Sequence, residues 1–288
     1  MTAKKRKRRG ASDDDLPEFE RPPLAEVVLG IQFDPLVGMA AAHLGAIWGL
    51  FHDRFPRTED RQPLAPVFER FDSPSEMTAV EWNLDLVQRP PLPRCWFIND
   101  TGDELLQLQE DRFLHNWRKI GPQQTYPRYS KLRKSFAGEA ASLERFVARE
   151  GIGKLKPNQC EVTYINHIVA DGNWREHPEA GKLFRLLADT EKVKLWAVPE
   201  HVRFDTAFLM KDAGDEPRGR LHVSIVSGFL KEGSKPMFAM TLSARGTPID
   251  EGLDGTLKFL DLGHRWIVHG FEELTTEPMH AAWGRKTR

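Results

Sequence analysis

Two amphipathic helical stripes, each preceded by strand-like segments, constrain this chain more than any other feature. Leu132, Phe136, Ala140, Leu143 and Val147 recur at spacings of three and four until Gly151 stops the run, and Leu253, Leu257, Leu260, His264, Ile267 and Phe271 do the same near the end. Each stripe needs an apolar surface to cover. The segments ahead of them supply one, because they alternate as half-buried strands do.

In Glu26 to Phe33, one face carries Val27, Leu29, Ile31 and Phe33 and the other Glu26, Val28, Gly30 and Gln32. Met39, His43, Ile47, Leu50 and Phe55 then predict a helix of about four turns ending at Pro56. Extended pieces follow at Pro66–Phe71, Met77–Val87 and Arg94–Asn99, the last closing at Asp100-Thr101-Gly102-Asp103. Leu105 to Lys119 reads as one strand that needs a bulge or bend near Asp111 to bury Phe113 and Trp117 with it. In the second half, Val162, Tyr164, Asn166 and Ile168 share a strand face, with Thr163, Ile165, His167 and Val169 on the other. Ala180 to Leu187 allows only a short helix, and Val202–Met210, Arg220–Leu230 and Met237–Ala244 read as antiparallel strands.

Strand, helix, antiparallel strands and long helix thus occur twice. The expected fold class is α+β, with two tandem similar halves, each an antiparallel sheet gripping a long helix. The expected boundaries are a disordered tail over 1–20, an N-terminal half over 21–153 and a C-terminal half over 154–288 packed on the first. The tail runs from the basic block Lys4, Lys5, Arg6, Lys7, Arg8 and Arg9 into Asp13-Asp14-Asp15, with almost nothing apolar to bury. Removing residues 1–20 is therefore expected to leave the melting temperature unchanged.

Lys plus Arg number 41 against 42 Asp plus Glu, a formal charge of −1, so no global field draws in nucleic acid or an acidic membrane. Attraction to phosphate would have to be local, through Lys4 to Arg9 or through Arg128, Lys131, Arg133 and Lys134. Two cysteines, Cys95 and Cys160, are too few for a disulfide framework or a Cys-rich zinc site. No apolar run reaches the 18–20 residues of a membrane span, and the N-terminus lacks the apolar segment of a signal peptide, so the expected location is the cytoplasm.

Phosphate-binding Gly-rich loops, a dinucleotide fingerprint, a serine-nucleophile elbow and a His-Glu-x-x-His helix are all missing from the sequence. No catalytic residue, metal ligand set or cofactor is assigned on these grounds. His264 and His269 lie five apart, on different helix faces, and so cannot share a metal. The densest polar and aromatic cluster is Gln107, Gln109, Arg112, Asn116, Trp117 and Arg118, with His115 among them and Tyr126, Arg128 and Tyr129 following. Amides offer paired donors and acceptors, arginine a planar fork, and Trp or Tyr a stacking face, a set suited to a nucleotide, a base or a peptide edge. The plainer alternative is structural, with glutamines laddered on a sheet and Trp117 and Tyr126 pinning the next helix. Asn166, His167 and His264 form a candidate pocket between sheet and helix.

Leu106-Gln107-Leu108-Gln109, Asp111-Arg112-Phe113, Asn116-Trp117-Arg118 and Tyr126-Pro127-Arg128-Tyr129 together resemble the central signature of an uncharacterised, sporadically distributed bacterial protein family of about 250–290 residues. Pro22-Pro23-Leu24-Ala25-Glu26-Val27 through Gln32-Phe33, and His264, Phe271 and Trp283-Gly284-Arg285, resemble that family's two ends. The resemblance implies genes that travel horizontally, in mobile elements, defence clusters or toxin–antitoxin pairs, and it assigns no chemistry.

The expected function is a non-catalytic binding or regulatory module that recognises another protein or a small polar ligand. One alternative is an enzyme in which Asn166 and His167, or His264 with Arg112, converge in a pocket. The other is a nucleic-acid-binding protein that uses the basic tail.

Overall fold

The computed structural model describes residues 16–71, 92–188, 200–212, 214–230 and 235–286. The Met77–Val87 segment and the basic block Lys4 to Arg9 lie outside them. Strand β1 (Leu24–Phe33) leads through α1 (Ala41–Gly49) to β2 (Arg57–Arg61), β3 (Arg94–Ile98), β4 (Glu104–Gln109), β5 (Arg112–Arg118) and α2 (Tyr129–Arg149). Then come β6 (Pro157–Val169), the short α3 (Ala180–Leu183) between two single 3₁₀ turns, β7 (Arg203–Lys211), β8 (Pro217–Phe229), β9 (Pro236–Gly246), α4 (Gly252–Leu274) and α5 (Glu277–Ala282).

The fold is α+β and the strands are antiparallel, but they form one nine-stranded sheet in the order β2-β3-β4-β5-β1-β6-β9-β8-β7 rather than the two expected sheets. The join is the β1–β6 pair, in which Val27 faces Tyr164, Leu29 faces Val162 and Ile31 faces Cys160. Both strands bury the same parity on the same side, so pairing them makes one apolar surface out of two. A single core runs across both spans, from Phe97 and Phe113 at one end to Phe238 and Leu221 at the other.

Both long helices lie on that apolar side and touch each other. Helix α2 packs over β5 and β1, where Phe136 stacks on Phe113 and Phe113 on Phe51. Helix α4 covers β6, β9 and β8. It approaches closely because position 263 is glycine: a Cβ there would sit 3.0 Å from the Ala244 Cβ and 3.2 Å from Val162.

Four local expectations are corrected. The first helix spans only Ala41–Gly49, and Phe51 and Phe55 are buried from the turns after it. Leu105 to Lys119 is not one bent strand but the β4–β5 hairpin, in which Gln109 pairs with Arg112 and Glu110-Asp111 forms the turn. Pro66–Phe71 joins no ladder. Finally, residues 16–20 are no tail: Phe19 is buried against Phe271, His280 and Trp283, and the Glu20 and Arg21 amides donate to the carbonyls of Gly284 and Trp283. A lone aromatic between charged residues gave no periodic signal, and its partners lie at the opposite end of the chain.

Candidate functional site

The β4–β5 hairpin splits the signature cluster between two faces. Phe113, His115 and Trp117 point to the helices, while Gln107, Gln109, Arg112, Asn116 and Arg118 point to the other side, as the period of two along paired strands requires. Residues close in sequence therefore serve different surroundings.

On the helix side, an open cavity of about 480 Å³ lies between β6, the start of α2 and the middle of α4, rimmed by Leu16 to Phe19. The chain has 3 tyrosines, and all of them line it. The Tyr126 and Tyr164 hydroxyls are 2.9 Å apart, and Tyr164 in turn shares a 2.9 Å hydrogen bond with His264 Nδ1. Tyr126 also packs on Trp117, at 5.3 Å between ring centroids. The Tyr129 hydroxyl donates to Asp261 Oδ1 at 2.9 Å, and Arg133 holds both oxygens of that carboxylate at 2.6 and 2.8 Å. Asn166 lines the cavity and donates to the Met240 carbonyl.

Local sequence explains this convergence. Tyr164 and Asn166 share the helix-facing parity of β6, and Asp261 and His264 lie one turn apart on α4. Pro127 precedes the first turn of α2, and Arg128 enters it at φ 75° and ψ 149°, a region that residues with a Cβ seldom occupy. This turn sends Tyr126 toward Tyr164, sets Tyr129 against α4 and leaves Arg128 exposed at the mouth.

Burial raises all three phenols above their ordinary value. For Tyr129 the Asp261 carboxylate adds to the rise, and for Tyr164 the neighbouring Tyr126 does. At neutral pH these groups are hydrogen-bond donors and acceptors, not bases. The two thiols are likewise inert, with burial pushing Cys95 and Cys160 up to about 12.

The remaining candidates do not reach the cavity. Gln107 accepts from Arg94 and Trp96 and donates to Asn116, which donates to Glu26, a relay across four strands that accounts for both residues structurally. Arg118 donates to the Gly102 carbonyl and lies over the Trp96 ring. His167 faces away from Asn166 and His264 by strand parity, and burial lowers its pKa. Gln109 and Arg112 hold the chain's own residues 64 and 65. Of the basic run, Arg133 is committed to Asp261, while Lys131 and Lys134 are exposed on α2.

A second hollow, beside Phe51 and Phe55, is lined by Arg54 and Glu139, which pair at 2.6 Å; behind it Arg54 also holds Glu104 at 2.6 Å, and His115 Nδ1 shares a 2.6 Å hydrogen bond with Glu139. Among the described residues, no three His, Cys, Asp or Glu side chains converge as a metal-ligand set, and no helix is long and apolar enough to cross a membrane.

Asp261 and Tyr164 escaped the sequence reading. Asp261 carried the fainter signal, an acid next to an otherwise apolar stripe and one turn before His264. Comparisons with protein-family models, with curated proteins and with solved structures return no match, so function rests on the geometry of the site itself.

Proposed function

We propose that this protein is a binding module that holds a small polar, anionic ligand in the cavity between α2, α4 and β6. The carrying observation is the convergence there of every tyrosine in the chain with His264 and Asn166. The volume falls in the range of about 300–1,000 Å³ that small-molecule sites occupy. Because Arg133 already neutralises Asp261, the exposed Arg128 at the mouth favours a negatively charged group.

Phenols held protonated and an imidazole tied to one of them present fixed donors and acceptors. They do not present an activated nucleophile with its base, which favours binding over catalysis.

The cavity also supports a reading of the fold as two related halves. Counting outward from the β1–β6 pair, the sheet runs β5, β4, β3, β2 on one side and β9, β8, β7 on the other, and each side carries one long helix. Tyr129 and His264 then meet where the two helices touch, which puts the cavity at the seam between the halves.

A thermal-shift survey of small organic anions against the full chain tests the ligand reading, since a ligand that binds only the folded state raises the melting temperature. A compound that stabilises the wild type should lose at least tenfold in affinity with Tyr164→Phe or Arg128→Ala. Equal affinity in both variants would remove the cavity from the site.

A further inference from the structure

Beyond β2, on the face opposite the cavity, the chain does not join the sheet but crosses it. From Leu64 to Phe71 it meets the strands in their order in the sheet. Gln109 of β4 accepts from the Leu64 amide and donates to the Leu64 carbonyl, at 2.9 and 3.0 Å. Arg112 of β5 donates to the Ala65 carbonyl at 3.0 Å. Gln32 of β1 and Gln159 of β6 accept from the Val67 and Glu69 amides at 2.9 and 3.1 Å. At the far side the Glu69 carboxylate sits between Arg220 Nη1, at 2.8 Å, and His222 Nε2, at 2.5 Å, both on β8, and Arg220 also lies over the Phe71 ring. The reach is that of an extended chain, because about seven residue steps of ~3.3 Å and about five strand spacings of ~4.8 Å both come to ~23–24 Å.

We propose that this face is a receptor for an extended peptide of a partner protein that carries one carboxylate side chain, and that residues 64–71 are its built-in occupant. The contacts are those of a receptor. Gln109, Arg112, Gln32 and Gln159 touch only main chain, so they read an extended backbone whatever its side chains. Among the described residues Glu69 supplies the segment's one hydrogen-bonded side chain, and its pKa is lowered: burial opposes ionisation, but the His222 and Arg220 contacts outweigh it.

The occupant is not packed as core. Val67 and Phe68 remain 41% and 51% exposed, whereas Gln109 and Gln32, which the segment covers at Leu64 and Val67, are 4% and 5% exposed. Each glutamine also keeps a bond within the sheet, Gln109 to Asp111, Gln32 to Asn158 and Gln159 to the Asn158 carbonyl, so the row stays aligned when the segment leaves. Pro66 has no amide to satisfy, which suits a proline-containing ligand.

The test uses the full chain with residues 64–69 replaced by Gly and Ser at constant length, and a dye-labelled synthetic peptide of residues 62–71. The peptide should bind this variant at least tenfold more tightly than the wild type, where the tethered segment competes. A peptide with Leu64, Val67 and Phe68 changed to Ala should bind within about threefold of the parent, and Glu69→Gln in the peptide or Arg220→Ala in the protein should cost tenfold or more. No binding to the folded variant, or equal binding to variant and wild type, would overturn the proposal. Dependence on the changed apolar side chains would overturn it for foreign peptides. If both the Gly/Ser variant and the milder Glu69→Gln protein fail to fold, the segment is structural and the proposal falls. The tyrosine cavity is on the opposite face, so neither reading's failure decides the other.

Discussion

Tyr129 and His264 stack ring on ring, with centroids 3.9 Å apart and planes inclined by 9°. One residue opens α2 and the other sits mid-way along α4, so this contact fastens the two long helices across the mouth of the cavity. The His264 ring also faces Tyr164, which ties the helix seam to the sheet through one imidazole.

Tyr164→Phe should remove the centre of the Tyr126–Tyr164–His264 relay while leaving the ring packing in place. The expected loss is about 1–3 kcal/mol, the cost of stranding polar groups in a largely buried site. Denaturant unfolding of the two proteins checks it, and unchanged stability would mean that water replaces the hydroxyl.

Alkaline titration followed by ultraviolet absorbance should show no tyrosinate near the ordinary value of 10.0 while the protein stays folded. The sign follows from the raised phenol pKa values. Folded tyrosines hold their protons at a pH where unfolded ones lose them, so the stabilisation is complete below 10.0 and fades as pH rises above it. The three phenols should therefore appear together, with alkaline unfolding; separate titration before unfolding would contradict their burial.

Trp117→Ala and Arg112→Ala, both on β5 but on opposite faces, should behave differently. Trp117 is 2% exposed beneath Tyr126, and its truncation should cost about 3–5 kcal/mol, a large share of ordinary stability. Arg112 bonds only Gln32 and the Ala65 carbonyl, so its loss should cost about 1 kcal/mol and speed amide exchange at Val67 and Glu69. Equal destabilisation would place Arg112 in the core framework.

Phe19→Ala should destabilise by about 3–5 kcal/mol, because the ring lies edge-on to Phe271 at 5.4 Å and is nearly inaccessible. Deleting residues 1–20 should accordingly lower the melting temperature by several degrees, contrary to what the charged composition of that stretch suggests. Coincident melts would show that the Phe19 contact adds nothing in solution.

The sequence by itself determined the elements whose side chains repeat with a period. Val27, Leu29, Ile31 and Phe33 mark β1, Leu132 to Val147 mark α2, and Leu253 to Phe271 mark α4; the three late strands lie within a few residues of their expected bounds. It also singled out Tyr126, Tyr129, Asn166 and His264 among the candidates for a site. What it could not carry was non-local pairing. That β1 pairs with β6 to make one sheet, that the β4–β5 turn puts Leu106 and Leu108 on the same face as Phe113 and Trp117, and that Phe19 docks on Trp283 all depend on contacts between residues far apart or on one turn's length. A pattern of burial says that a side chain must be covered, not by what. Only the tertiary structure decided that Gln32, Gln109 and Gln159, on three different strands, would line up under residues 64–69, because that row exists only once β4, β5, β1 and β6 lie side by side.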